Sequence, residues 1–129
     1  MKAVQYVSPG NVAVIDVPVP ERSAGEVLLR LDKVAVCGSD LHQLYDSAPA
    51  SFPFAPGVSG HECIGVVEET DSAEIRRGER MLIIPPDMNA LAEYITVEPK
   101  WLIPIPDSLD SQRGVMAGFN WRSEVSAPG

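Results

Sequence analysis

Proline and glycine punctuate nearly the whole chain, and the segments left between them are short and rich in Val, Ile and Leu. Proline removes a backbone donor and fixes φ, while glycine favours turns, so a chain divided this way has little room for long helices. It has room for many short strands. Seven runs read as strands: "KAVQY" (2–6), "VAVIDV" (12–17), "EVLLRLDKVAV" (26–36), "ECIGVVEE" (62–69), "RMLII" (80–84), "AEYITV" (92–97) and "WLIPI" (101–105). In the third run neither face is cleanly apolar, which predicts a strand passing from the edge of a sheet to its interior. Pro18 and Pro20 break the chain before it, and "AGE" (24–26) and "RGE" (77–79) read as turns that launch strands. A short helix is expected over 39–45, capped by Ser39 or Asp40, with Leu41 and Leu44 as its apolar pair. A second helix near 109–117 would be capped by Asp107 or Ser108. The expected fold class is mainly β, a sandwich or barrel rather than a βαβ array.

A chain of 129 residues with 45% hydrophobic content is long enough to bury one core. Its net charge of −8, and a densest basic patch no larger than "RRGER" (76–80), exclude a nucleic-acid partner. The negative charge reads as solubility. No apolar run approaches the ~18–20 residues that cross a bilayer. The opening "MKAVQYVSPG" lacks the apolar centre of a signal peptide, so a soluble cytoplasmic protein without a membrane partner is expected.

The chain has only two cysteines and two histidines, and all four fall within 27 positions, in "CGSDLH" (37–42) and "GHECIGVV" (60–67). Zinc takes Cys sulfur, His nitrogen and carboxylate oxygen, and a catalytic site uses three protein ligands with one position open. Cys37 ends a strand just before a glycine and a helix. His61 and Glu62 follow Gly60, where the backbone can turn sharply. Strand alternation would put His61 and Cys63 on one face, giving a Cys37–His61–Cys63 set. On that alternation Glu62 would point away from the set. Cys37 and Cys63 read as free thiols, with a Cys37–Cys63 disulfide as the alternative.

These two motifs, in this order and at this separation, resemble the catalytic-zinc motifs of the medium-chain, zinc-dependent alcohol dehydrogenases. "MKAVQY" at the start, "GEVLLRL" (25–31), "RGERM" (77–81), "LAEYITV" (91–97) and "IPIPDSLD" (103–110) extend the similarity over about residues 1–117. The resemblance implies a GroES-like, partly open β-barrel with short helices, joined in the family to a Rossmann domain that binds NAD or NADP. It implies Cys37, His61 and Glu62 as ligands of a Zn2+ ion, with Glu62 bound directly or through the zinc's water. Asp40 would orient the His61 ring. Ser39 would hold the hydroxyl nearest a small-molecule alcohol or polyol substrate, and His42 would pass its proton to solvent.

The sequence also departs from the family. "RMLIIPPDMNA" contains no cysteine, so it has no four-cysteine lobe for a structural zinc, and the turn in "EETDSAEIRRGER" (68–80) is short. No G-x-G-x-x-G follows a strand, and the family's further zinc ligand is missing. The expected organisation is a GroES-like catalytic domain over 1–117 and a divergent, flexible tail over 118–129, with the cofactor domain absent. Two functions follow. One is the zinc- and substrate-binding part of an alcohol or polyol dehydrogenase, inactive until a separate cofactor-domain chain is supplied. The alternative is a non-catalytic zinc-binding or interaction module. A co-chaperonin-like structural unit is disfavoured by "CGSDLH" and "GHE". Apolar surface uncovered near the cleft and around Trp121 is expected to promote homo-oligomerisation. "LYDSAPASFPFAP" (44–56) is expected near the cleft, with Phe52 and Phe54 as apolar walls or as ordinary loop packing.

Overall fold

The computed structural model describes residues 1–110. Its elements are β1 (Lys2–Ser8), β2 (Asn11–Asp16), β3 (Val27–Val34), α1 (Gly38–Asp46), β4 (Cys63–Glu69), β5 (Arg80–Ile83), β6 (Tyr94–Val97) and β7 (Leu102–Pro104), with 3₁₀ turns at Pro49–Ser51 and Pro99–Trp101. Each strand falls on one of the seven runs read from the sequence. The turns before β3 and β5 carry Gly25 and Gly78 at φ of +84° and +87°. The second helix expected near 109–117 and the tail over 118–129 fall beyond the described residues, apart from Leu109 and Asp110, which are not helical.

All strand pairs are antiparallel. β1 and β2 form a hairpin, and the other five lie in the order β6-β3-β4-β5-β7. The hairpin joins the larger sheet just before β6. There Ala3 bridges Ala92, the Val4 N–H donates to Leu91 O at 2.8 Å, and the Glu93 N–H donates to Lys2 O at 3.1 Å. The result is one curved antiparallel surface whose outer strands, β2 and β7, do not pair with each other. This is a mainly-β, partly open barrel, the expected fold class.

β3 corrects one detail. Leu28–Arg30 pair with both β6 and β4, whereas Lys33 and Val34 pair with β4 alone, so the strand runs from interior to edge, the reverse of the expected direction. The register also shifts between Leu28 and Leu29 and between Leu31 and Lys33. Such bulges rotate side chains out of strict alternation, which is why the sequence shows no clean apolar face.

The core lies on both faces of the central strands. Val27, Leu29, Cys63, Val67, Met81, Ile83, Ile95 and Val97 form one buried cluster, while Ile64 and Leu82 form a second with Ala35, Ile103 and Ile105. Residues 63 and 64, or 82 and 83, point to opposite sides of their strands, so β4 and β5 are covered on both faces. Gly65 lies where β4 runs closest to β3, and a Cβ there would meet Arg30 O at 2.7 Å.

α1 also begins differently from the expectation. Its N-cap is Cys37, not Ser39 or Asp40, and Asp40 at the third helical position accepts the Cys37 N–H at 2.9 Å. The carboxylate therefore caps by reaching back, as in the acidic half of a capping box. Leu44 is buried while Leu41 is 51% exposed, so the expected apolar pair is split. The Phe52 and Phe54 rings stack on each other with centroids 4.8 Å apart, and Phe54 also packs against Tyr6. Among the described residues no helix is long and apolar enough to cross a membrane.

Candidate metal centre

Two junctions build the site. Where β3 gives way to α1, the N-cap position sets Cys37 beside the first helical turn. The second junction is the segment leading into β4, which carries Ser59, Gly60, His61 and Glu62. Gly60 has φ of +102°, a conformation costly for other residues, and a Cβ there would press on Leu91 Cγ at 3.1 Å.

These junctions bring Cys37 and His61 together, with Sγ 3.5 Å from Nε2. The same ring nitrogen lies 3.6 Å from Glu62 Oε1, and on the opposite side of the ring Nδ1 lies 3.6 Å from Asp40 Oδ1. Ligand atoms of Cys37, Asp40 and His61 all lie within 4.8 Å of one another. Ser39 Oγ sits 2.8 Å from Cys37 Sγ, on a residue open to solvent. His42 stands apart from this group, on the exposed side of α1, with Nδ1 2.7 Å from Asp46 Oδ2.

Asp40 is 1% exposed. Burial by itself would raise its pKa, but donors outweigh it. The Ser59 hydroxyl (2.6 Å), the Cys37 N–H and the Gly60 N–H (3.1 Å), with the nearby His61 ring, hold the carboxyl below its ordinary value. Ser59 and Tyr6 are the residues that sequence reasoning missed. Ser59 is 1% exposed and Tyr6 is 4% exposed, and their oxygens are 2.9 Å apart. The available signal was a serine placed directly before the glycine–histidine pair.

Cys63 does not join the cluster. β4 begins at Cys63, so His61 and Glu62 precede the strand and its alternation does not govern them. The Cys63 thiol points into the core and lies 3.7 Å from Ile83 O, and burial pushes its pKa up to about 12. Both cysteines are free, so the disulfide alternative is not formed.

The donor set suits zinc. A thiol sulfur, an imidazole nitrogen and a carboxylate oxygen are the three ligand types that zinc prefers. Tetrahedral zinc, with Zn–S of about 2.3 Å and Zn–N of about 2.0–2.1 Å, separates its sulfur and nitrogen donors by about 3.6 Å. Cys37 Sγ and His61 Nε2 already stand at 3.5 Å. Asp40 is less suited to be a ligand, because both its oxygens are engaged by protein donors.

Known proteins share this arrangement of sequence and fold. Residues 23–107 match the family described as "Alcohol dehydrogenase GroES-like domain". An alcohol dehydrogenase of Cupriavidus necator is 34% identical over 97 residues, covering 71% of this chain and 25% of the relative. A sorbitol dehydrogenase of Pongo abelii is 39% identical over 80 residues, covering 60% of this chain and 22% of the relative. The chain thus spans about a quarter of the length of these curated relatives. Among solved structures, an Escherichia coli oxidoreductase/dehydrogenase of unknown specificity superposes with a TM-score of 0.77 at 22% identity, over 89% of this chain and 42% of that one, a likeness of fold. The chain therefore belongs to the medium-chain alcohol dehydrogenase family, through its GroES-like domain.

Proposed function

We propose that Cys37, His61 and Glu62 hold a catalytic Zn2+ ion, and that residues 1–117 act as the catalytic domain of a dehydrogenase for a small alcohol or polyol. The observation carrying this reading is the 3.5 Å separation of Cys37 Sγ and His61 Nε2, with Glu62 Oε1 3.6 Å from the same nitrogen. A zinc ion held there would supply Lewis-acid polarisation of the substrate's hydroxyl oxygen.

The chain's own residues supply positioning and proton transfer. Asp40 faces His61 Nδ1, which keeps that nitrogen protonated and turns the Nε2 lone pair toward Cys37. Ser39, beside Cys37 and open to solvent, accepts the proton released from the alcohol and passes its own onward. His42, three residues along α1 and exposed, carries the proton to solvent with Asp46 holding its ring. NAD or NADP, when bound, would supply the acceptor for the alcohol's hydride. Two free thiols accord with a reducing compartment, the cytoplasm.

Metal analysis tests the site. Zinc is expected to co-purify at one ion per chain and to be lost in Cys37→Ala and in His61→Ala, but kept in Cys63→Ala. Stoichiometric zinc in both Cys37→Ala and His61→Ala overturns the ligand set. Cofactor reduction by the 129-residue chain alone, given zinc and alcohols, would overturn the expectation of a separate cofactor-domain chain.

A further inference from the structure

We infer that Ser59 and Tyr6 are positioning residues for the metal centre, acting on His61 through Asp40, which deepens the zinc-site reading above and rests on it. The directions of the hydrogen bonds follow from the groups themselves. A carboxylate only accepts, so the single Ser59 proton is committed to Asp40 Oδ1 at 2.6 Å. Ser59 Oγ then offers only lone pairs to Tyr6, and the Tyr6 hydroxyl must be the donor across 2.9 Å. The chain runs one way, from Tyr6 O–H to Ser59 O–H to the Asp40 carboxylate.

Its end bears on the ligand. The same oxygen, Asp40 Oδ1, receives the Ser59 hydroxyl and the Gly60 N–H and stands 3.6 Å from His61 Nδ1. Ser59 and Gly60 thereby fix where that oxygen sits against the imidazole, and the Cys37 N–H fixes the other carboxylate oxygen. Tyr6 belongs to β1 and Asp40 to α1, so the chain couples the amino-terminal hairpin to the ligand-bearing helix. All three side chains are buried, where a hydrogen bond is stronger and its loss leaves a polar group unpaired. Partners behind a ligating histidine set its orientation and basicity.

Zinc affinity, measured on the intact chain by competition with a chromophoric chelator, tests the inference. Ser59→Ala is expected to bind zinc about tenfold more weakly, the lower end of the loss typical for removing a partner behind a ligand. Ser59→Thr, which keeps the hydroxyl, is expected to retain most of the affinity. Tyr6→Phe keeps the ring against Phe54 and removes only the hydroxyl. It is expected to weaken binding less, and to add nothing in the Ser59→Ala background because its path to Asp40 is then cut. Wild-type affinity in Ser59→Ala, or a Tyr6→Phe effect undiminished in that background, overturns the inference while leaving the zinc site standing. A wild-type chain that binds no zinc overturns the zinc site itself and this inference with it.

Discussion

Cys37 lies three residues beyond Val34, the β3 partner of Cys63, yet the two thiols face opposite environments. Cys37 caps α1, its sulfur 3.5 Å from His61 Nε2. Cys63 is wholly buried and its thiol is pushed up to about 12. Alkylation at pH 8 should separate them. In the native, metal-free chain iodoacetamide should modify Cys37 and leave Cys63 intact, with zinc slowing reaction at Cys37. In denaturant both should react. Mass spectrometry of the peptides reads the outcome, and comparable native labelling at Cys63 would contradict the core placement.

Replacing Gly65 by alanine tests how tightly β3 and β4 are held. Its Cβ would lie 2.7 Å from Arg30 O, a backbone atom that cannot move without disturbing the strand pairing. Overpacking of this kind costs about 1–3 kcal/mol. Urea unfolding should show the midpoint falling accordingly, while chains still folded bind zinc as the wild type does. An unchanged midpoint would mean that the strands separate more easily than their register implies.

His42 should behave as a surface residue in every measurement except proton transfer. Its ring pairs with Asp46 one turn along α1, with both side chains mostly exposed. Exposed pairs of this spacing contribute about 0.3–0.5 kcal/mol. His42→Ala should therefore shift stability by no more than that and leave the zinc stoichiometry unchanged. Loss of zinc in this variant would place His42 among the ligands, contrary to the geometry.

Much of the fold was legible because strands and breaks are local. "KAVQY", "RMLII" and "WLIPI" each contain or overlap a strand, with turn residues marking the ends. The two site motifs were legible as clusters of rare residue types. What stayed hidden depends on contacts distant in sequence. The β3 bulges arise from its pairing with β4, and Cys37 becomes the N-cap because Asp40 can reach back to its N–H. Whether Cys63 faces the cluster or the core turned on where β4 begins, a boundary that periodicity alone does not fix. Ser59 and Tyr6 lie 53 positions apart, and nothing in either segment announces the other.

Asp40 should make the metal-free chain sensitive to acid. Its donors hold its pKa below the value of an unfolded chain, so the folded protein favours the charged form. The resulting stabilisation is fully present above the ordinary carboxylate pKa of about 3.9 and fades as pH falls through the lower folded value. Asp40→Asn removes the charge and turns an amide N–H2 toward groups that are themselves donors. Hydrogen bonds to charged groups are worth roughly 1.5–3 kcal/mol, so the variant should be less stable than wild type by about 2 kcal/mol at pH 7. Urea unfolding with chelator present, at pH 7 and then at steps below the ordinary carboxylate value, should show that gap narrowing in acid, because there the unfolded chain takes up the proton that folding must expel. A gap constant across this range would mean that the charge of Asp40 is not what its three donors stabilise.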